Sequence, residues 1–296
     1  MYAIFAYPLY GLLAYIGIMI TAFIAYTFIP SAPLILGFVA RSMSAYLALI
    51  IAAAYGTIAS AILKPFDLHY KYAQYSTARA FKYIGKFMIG VEFDIEGDGK
   101  EILENTRPAV VVGNHQTELD ILVLGTLFQY GYSVTAKKSL ARIPFLGWYM
   151  LLSGTVFIDR ADRAQALRAF EGAAKAMKER QQCVFMFPEG TRSYSTEPML
   201  LPFKKGAFHM AVQGQVPIVP TVVENYSYIL NVKKKRFNAG KARIRVLKPI
   251  STKGKTAADV DALLAETREA MLNALKEMAQ DSQSMKESNV LSKKTS

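Results

Sequence analysis

Two long uncharged apolar stretches open the chain, and short apolar runs alternating with amphipathic segments follow. Residues 9–29 and 42–63 carry no charge over 21 and 22 positions. About 20 apolar residues suffice for a helix to cross a bilayer. Pro30 and Pro33 interrupt the first stretch, and Lys64-Pro65 closes the second. The pattern predicts a two-helix membrane anchor over residues 1–64. Gly11, Gly17, Gly37 and Gly56 leave open a hairpin half-buried in one leaflet. A signal peptide fits poorly, because Met1 to Pro8 contains no Lys or Arg.

Residues 65–89 predict an amphipathic interfacial helix. At about 100° per residue, Lys71, Arg79, Lys82 and Lys86 share one arc, and Phe81, Ile84 and Met88 face away from it. From residue 90 the periodicity changes. Residues 91–95 and 243–247 alternate like half-buried strands, whereas 109–112, 184–187 and 218–223 are continuous apolar runs, as in covered strands. Between them Leu167, Phe170, Ala174 and Met177 step at helical spacing. Val260, Leu263, Leu264, Thr267, Met271, Leu275 and Met278 do so near the end. This pattern predicts an α/β domain over 90–280, with a mixed, largely parallel sheet flanked by helices. The Ser-, Lys- and Gln-rich residues 281–296 predict a disordered tail.

Charge sharpens the division. Residues 1–63 hold a single basic residue, Arg41, and no acid. The remainder holds 34 basic against 23 acidic residues, an excess of eleven. A basic body beside an uncharged apolar end suits an anionic membrane surface or phosphorylated ligands. Nucleic acid is not expected, because aromatic and basic residues are not interleaved as a stacking platform requires. Cys183 is the sole cysteine, so disulfides and Cys-based metal sites are excluded. It precedes the apolar run 184–187 and reads as a buried strand residue.

The candidate chemistry lies after the run 109–112. Gly113 leads into Asn114-His115-Gln116-Thr117-Glu118-Leu119-Asp120. On one continuous helix, positions five apart do not meet. His115 is therefore expected in a turn and Asp120 at the start of the following helix. The carboxylate then accepts from imidazole Nδ1 and leaves Nε2 as a general base. Three further blocks follow: Gly154-Thr155-Val156-Phe157-Ile158-Asp159-Arg160, Phe187-Pro188-Glu189-Gly190-Thr191-Arg192-Ser193, and Val216-Pro217-Ile218-Val219-Pro220. The second presents an Arg after a tight Gly turn, and Arg grips phosphate bidentately. No Gly-x-Ser-x-Gly elbow occurs, which argues against a serine hydrolase. Gly254-Lys255-Thr256 is not a P-loop, since Pro249 stands at the first Gly position.

The four blocks, in this order over roughly residues 90–250, resemble the glycerolipid acyltransferases, most closely the 1-acyl-sn-glycerol-3-phosphate acyltransferases. The resemblance implies acyl transfer from acyl-CoA to the sn-2 hydroxyl of lysophosphatidic acid, with His115 and Asp120 catalytic and no cofactor or metal. It implies that Arg192 is the main phosphate ligand and Glu189 a positioning residue. It also implies substrate contacts from Asn114, Lys137, Arg160, Gly190 and Thr191, and a pocket-shaping role for residues 216–220. A core strand start is an equally good reading of that last block. Glycerol 3-phosphate or another lysophospholipid is the alternative acceptor, and a non-catalytic scaffold the alternative class. The expected location is the endoplasmic reticulum membrane with the body facing the cytosol, since five basic residues follow the second apolar stretch. Glu118 has no role in this reading.

Overall fold

The structure, a computed structural model, describes residues 2–159 and 163–295, with side chains at 2–5, 163, 164, 166, 167 and 283–295 excepted. Helices α1 (Tyr2–Phe28) and α2 (Leu34–Leu63) form the expected pair, tied where the Tyr15 hydroxyl donates to the Met43 carbonyl at 2.7 Å. Both are long and apolar enough to cross a membrane. Their burial differs. Only 6% of the apolar window in α1 is buried, against 28% in α2. In α2 the small residues Ala40, Ser44, Ala48, Ala52, Gly56 and Ser60 recur every fourth position and are buried. They form a smooth stripe against which α3 (His69–Ile89) packs closely. Tyr46, Ile50, Ile51, Tyr55, Ile58 and Ile62, on other faces of α2, are exposed.

Helix α3 ends at Gly90, whose positive φ of 68° allows the left-handed cap and whose N–H donates to Lys86 at 3.0 Å. Strand β1 (Val91–Ile95), helix α4 (Gly99–Asn105) and strand β2 (Val110–Gly113) follow. Helix α5 (Asp120–Leu127), strand β3 (Tyr132–Lys137), helix α6 (Leu146–Leu152) and strand β4 (Val156–Ile158) come next. Then come α7 (Arg163–Arg180), β5 (Cys183–Met186), α8 (Gly206–Gly214) and β6 (Ile218–Val223). A small ribbon, β7 (Leu230–Asn231) with β8 (Arg236–Phe237), precedes β9 (Gly240–Val246) and α9 (Val260–Thr295).

Seven strands form one sheet in the order β1-β9-β6-β2-β5-β3-β4. Every pairing is parallel except β6 with β9. The central strands are covered on both faces, so their apolar runs split by parity. Val111, Phe185 and Val219 join the core on the α5 side, whereas Val110, Val184 and Ile218 join the core containing residues of α8 and α9.

Three differences from the sequence pattern have physical reasons. Strands β3 and β4 carried no strand pattern, because Ser133, Thr135 and Lys137 break the apolar run of β3 and β4 has only three residues. Helix α3 is not a free interfacial helix: Ala73, Gln74, Thr77, Phe81, Gly85 and Ile89 are buried, and it packs against both α2 and α5. The backbone of α9 runs through the stretch expected as a disordered tail. No Pro or Gly stands between Gly254 and the terminus to break it.

Candidate functional site

The chain turns sharply out of β2, and residues 114–119 are not helical before α5 opens at Asp120. This turn brings His115 Nδ1 to 2.6 Å from Asp120 Oδ2. The same oxygen accepts from the backbone N–H of Gln116 at 2.6 Å and of Thr117 at 3.1 Å. Its partner Oδ1 accepts from the Tyr226 hydroxyl. Asp120 is only 1% exposed, and four donors compensate its burial as a carboxylate. An oxygen already accepting backbone N–H groups draws a proton onto Nδ1, which leaves Nε2 as the acceptor. The imidazole stacks on Phe187, with ring centroids 4.0 Å apart and planes 13° apart.

Tyr226 escaped the sequence reading, because nothing in Asn225-Tyr226-Ser227 marks it. Its phenol is fully buried and lies 2.9 Å from the Thr117 hydroxyl. Burial first, and the neighbouring Asp120 charge second, push its acidity far out of the working range, so it stays a donor.

Glu189 holds the turn from the other side. One carboxylate oxygen accepts the His115 N–H at 2.7 Å and the other accepts the Leu201 N–H at 2.9 Å. Burial raises its carboxyl above the ordinary range, and the two backbone donors offset part of that rise. Gly190, with φ of 68°, turns the chain after Pro188-Glu189, and its N–H donates to the Phe187 carbonyl at 3.1 Å. The Ser193 and Tyr194 N–H groups then donate to the carbonyls of His115 and Gln116. The two blocks are thus laced together backbone to backbone.

Arg192 Nη1 donates to Glu118 Oε1 at 3.2 Å, and the Tyr194 hydroxyl donates to the same oxygen at 2.6 Å. Thr191 is exposed beside them. Lys137 is exposed at the end of β3. Its neighbour Lys138 is engaged by Asp159 at 3.2 Å and Gln165 at 3.0 Å. Arg160 lies outside the described residues. His115, Arg192 and Lys137 follow or end the adjacent parallel strands β2, β5 and β3, so they share the carboxyl edge of the sheet, where open α/β sheets bind ligands.

Two expected residues sit differently. Asn114 is buried, and both ends of its amide are used by Val223: Nδ2 donates to the carbonyl at 2.9 Å and Oδ1 accepts the N–H at 2.8 Å. It prolongs the β2–β6 pairing instead of facing a substrate, because a buried amide needs partners at both ends. The block 216–220 begins β6 beside Ala109 and Val110, at the opposite edge of the sheet from His115. It reads as a core strand start. Cys183 is buried, and burial pushes its thiol up to about 11, so it is inert as a nucleophile.

Comparison with known proteins identifies relatives over most of the chain. A family model described as Acyltransferase matches residues 94–224. An uncharacterized acyltransferase of Schizosaccharomyces pombe is 48% identical over 80% of this chain and 84% of its own. The 1-acyl-sn-glycerol-3-phosphate acyltransferase of Saccharomyces cerevisiae is 43% identical over 80% of this chain and 77% of its own. The human alpha enzyme of that name is 36% identical over 66% and 68%. The crystal structure of the acyltransferase PlsC from Thermotoga maritima shares the fold, with a TM-score of 0.64 over 83% of this chain and 95% of that one at 24% identity. With the Phe187–Ser193 block laced to the His115–Asp120 turn and relatives this close over most of its length, the chain belongs to the 1-acyl-sn-glycerol-3-phosphate acyltransferase family.

Proposed function

We propose that this acyltransferase moves an acyl group from acyl-CoA to the sn-2 hydroxyl of 1-acyl-sn-glycerol 3-phosphate, giving phosphatidic acid and CoA. The observation that carries the reading is the His115–Asp120 contact, with Nδ1 occupied and Nε2 left as the base. His115 takes the hydroxyl proton as the oxygen attacks the thioester carbon. The imidazolium then protonates the departing CoA thiolate. Charge balances within the site, and no acyl-enzyme is formed. The names of the yeast and human relatives support lysophosphatidate as acceptor. Purified protein, one acyl-CoA and a panel of acceptors test it. Lysophosphatidate is expected to exceed glycerol 3-phosphate and lysophosphatidylcholine by about tenfold or more in kcat/KM. A higher value for either would reassign the acceptor.

In this reading Arg192 receives the phosphate, and Glu118 is the anion it must leave. Arg192→Ala should raise KM for lysophosphatidate about tenfold or more while moving KM for acyl-CoA little. Equal changes in both would make Arg192 structural or a ligand of the CoA phosphates. Glu118→Gln acts the opposite way. Its side chain is 41% exposed and that of Arg192 37%, so the ion pair is weak, about 1 kcal/mol at most. KM for lysophosphatidate should fall about two- to fivefold. A rise would show instead that Glu118 aims the guanidinium.

The protein works at a membrane, which we assign to the endoplasmic reticulum with the body in the cytosol. Helix α2 is docked on the body near both ends, where Arg41 donates to the Ile89 carbonyl and Thr57 to the Phe145 carbonyl, which favours the half-buried hairpin over the spanning one. Single cysteines at Ser31 and Ser251 in a Cys183→Ala background distinguish them. In sealed microsomes an impermeant thiol reagent should label both positions, whereas a spanning hairpin protects position 31.

A further inference from the structure

The basic arc of α3 is not absorbed by the reaction, and the structure divides it. Lys86 pairs with Glu92 at 2.6 Å. Arg79 and Lys82 instead line a cleft of about 880 Å³, which Lys100 of α4 also enters. Asp94 is the one acid lining it, and Lys241 lies 3.8 Å from that carboxylate. Lys100 has a looser tie to Glu104 at 3.7 Å. The cleft therefore gathers cations from two helices with little neutralisation. Arg79 is already fixed in place. Its Nη2 donates to the Phe128 carbonyl at 3.3 Å, and its guanidinium carbon sits 5.2 Å from the centre of the Tyr75 ring. Its Nε is buried with no partner among the described residues. Lys82 is held below the ordinary range, first by burial and then by the Arg79 charge. A bound anion relieves that repulsion and gives the guanidinium a partner.

The surroundings say which anion. Tyr55 of α2 and Tyr83 of α3 wall the cleft, and Tyr83 is 64% exposed. Tyr55 belongs to the exposed stripe Ile51-Tyr55-Ile58-Ile62, spaced at helical intervals along α2. A cationic cleft thus opens beside an apolar track, which is the shape of a headgroup with its chains. The cleft also reaches Thr126 and Gln129. Thr126 lies six residues beyond Asp120 on α5, about 9 Å along the helix axis, so the cleft is separate from the reaction centre.

We propose that this cleft binds the phosphate of an anionic phospholipid as a resident ligand, with Arg79 and Lys82 holding the phosphate and its chains lying along α2. The full chain in neutral detergent micelles tests it, read by the thermal unfolding midpoint as dioleoyl phosphatidylglycerol is added, with phosphatidylcholine as the neutral control. Bound ligand raises the midpoint. Wild type should be stabilised by the anionic lipid alone, and Arg79→Gln/Lys82→Gln should need about tenfold more of it. The double variant should keep wild-type acyl transfer in neutral micelles, which shows that it is folded. Arg192→Ala should keep the stabilisation, which separates the cleft from the acceptor site. A charge-matched change in the exposed run, Lys233→Gln/Lys234→Gln, should keep it too. Equal loss in that control, or full stabilisation of the double variant, overturns the site. Equal stabilisation by inorganic phosphate alone, lost in the double variant, replaces the lipid with a free phosphate.

Discussion

His115→Ala should lower acyl transfer by about 10²–10⁴-fold, with the unfolding midpoint and membrane extraction unchanged. The imidazole is partly exposed, its side chain at 18%, and it rests flat on Phe187. The turn does not depend on the ring, because Glu189 holds it through the His115 backbone N–H. The substitution therefore removes the base and leaves its support. Retention of more than about a tenth of the activity would reject His115 as the base.

Asp120→Asn should be comparably severe, on the order of 10⁴-fold, the size of the loss when an orienting aspartate of a serine protease becomes an amide. An amide nitrogen at Oδ2 faces three donors, His115 Nδ1 and the N–H groups of Gln116 and Thr117. At Oδ1 it faces the Tyr226 hydroxyl. With the nitrogen at Oδ2 its N–H groups oppose those donors, and the histidine is pushed to the wrong tautomer. With the nitrogen at Oδ1 the Tyr226 hydroxyl turns to accept it and donates to Thr117, and the imidazolium then loses its counter-charge. Tyr226→Phe discriminates charge from geometry. It removes one donor and leaves the carboxylate, so activity should fall far less, by about tenfold. If Tyr226→Phe matches Asp120→Asn, the phenol takes a direct part in the proton transfer. A pH profile of kcat/KM separates the cases, since only a change in the imidazole environment moves its acidic limb.

The sequence exposed the parts of the fold whose pattern is set by burial. Residues 218–223 and 91–95 match strand limits, and the apolar runs near 109–112 and 184–187 match within a residue, because strands covered on both faces must be apolar throughout. Strand β3 is not covered along its whole length, being half-buried or exposed from Val134 to Lys137, so Ser133, Thr135 and Lys137 concealed it. In the site, local signals were legible: His115 and Asp120 five apart after a Gly turn, and the Pro-Glu-Gly turn before Arg192. What depended on distant chain was not. Tyr226 meets Asp120 from 106 positions away, and a tyrosine alone predicts no such partner. Asn114 was expected at the substrate only through the family resemblance, but β6 consumed its amide.

The small-residue stripe of α2 has a mechanical consequence. That helix packs on α3, α3 packs on α5, and α5 begins with Asp120. The α3–α5 contact is as tight as a backbone allows: a methyl group on Gly125 would stand 2.5 Å from the Ala78 carbonyl oxygen. The lipid-facing helix and the carboxylate that orients the imidazole thus belong to one stiff strut. The distance from the apolar anchor helix to the base is a fixed length, set by alanine and glycine rather than by a hinge.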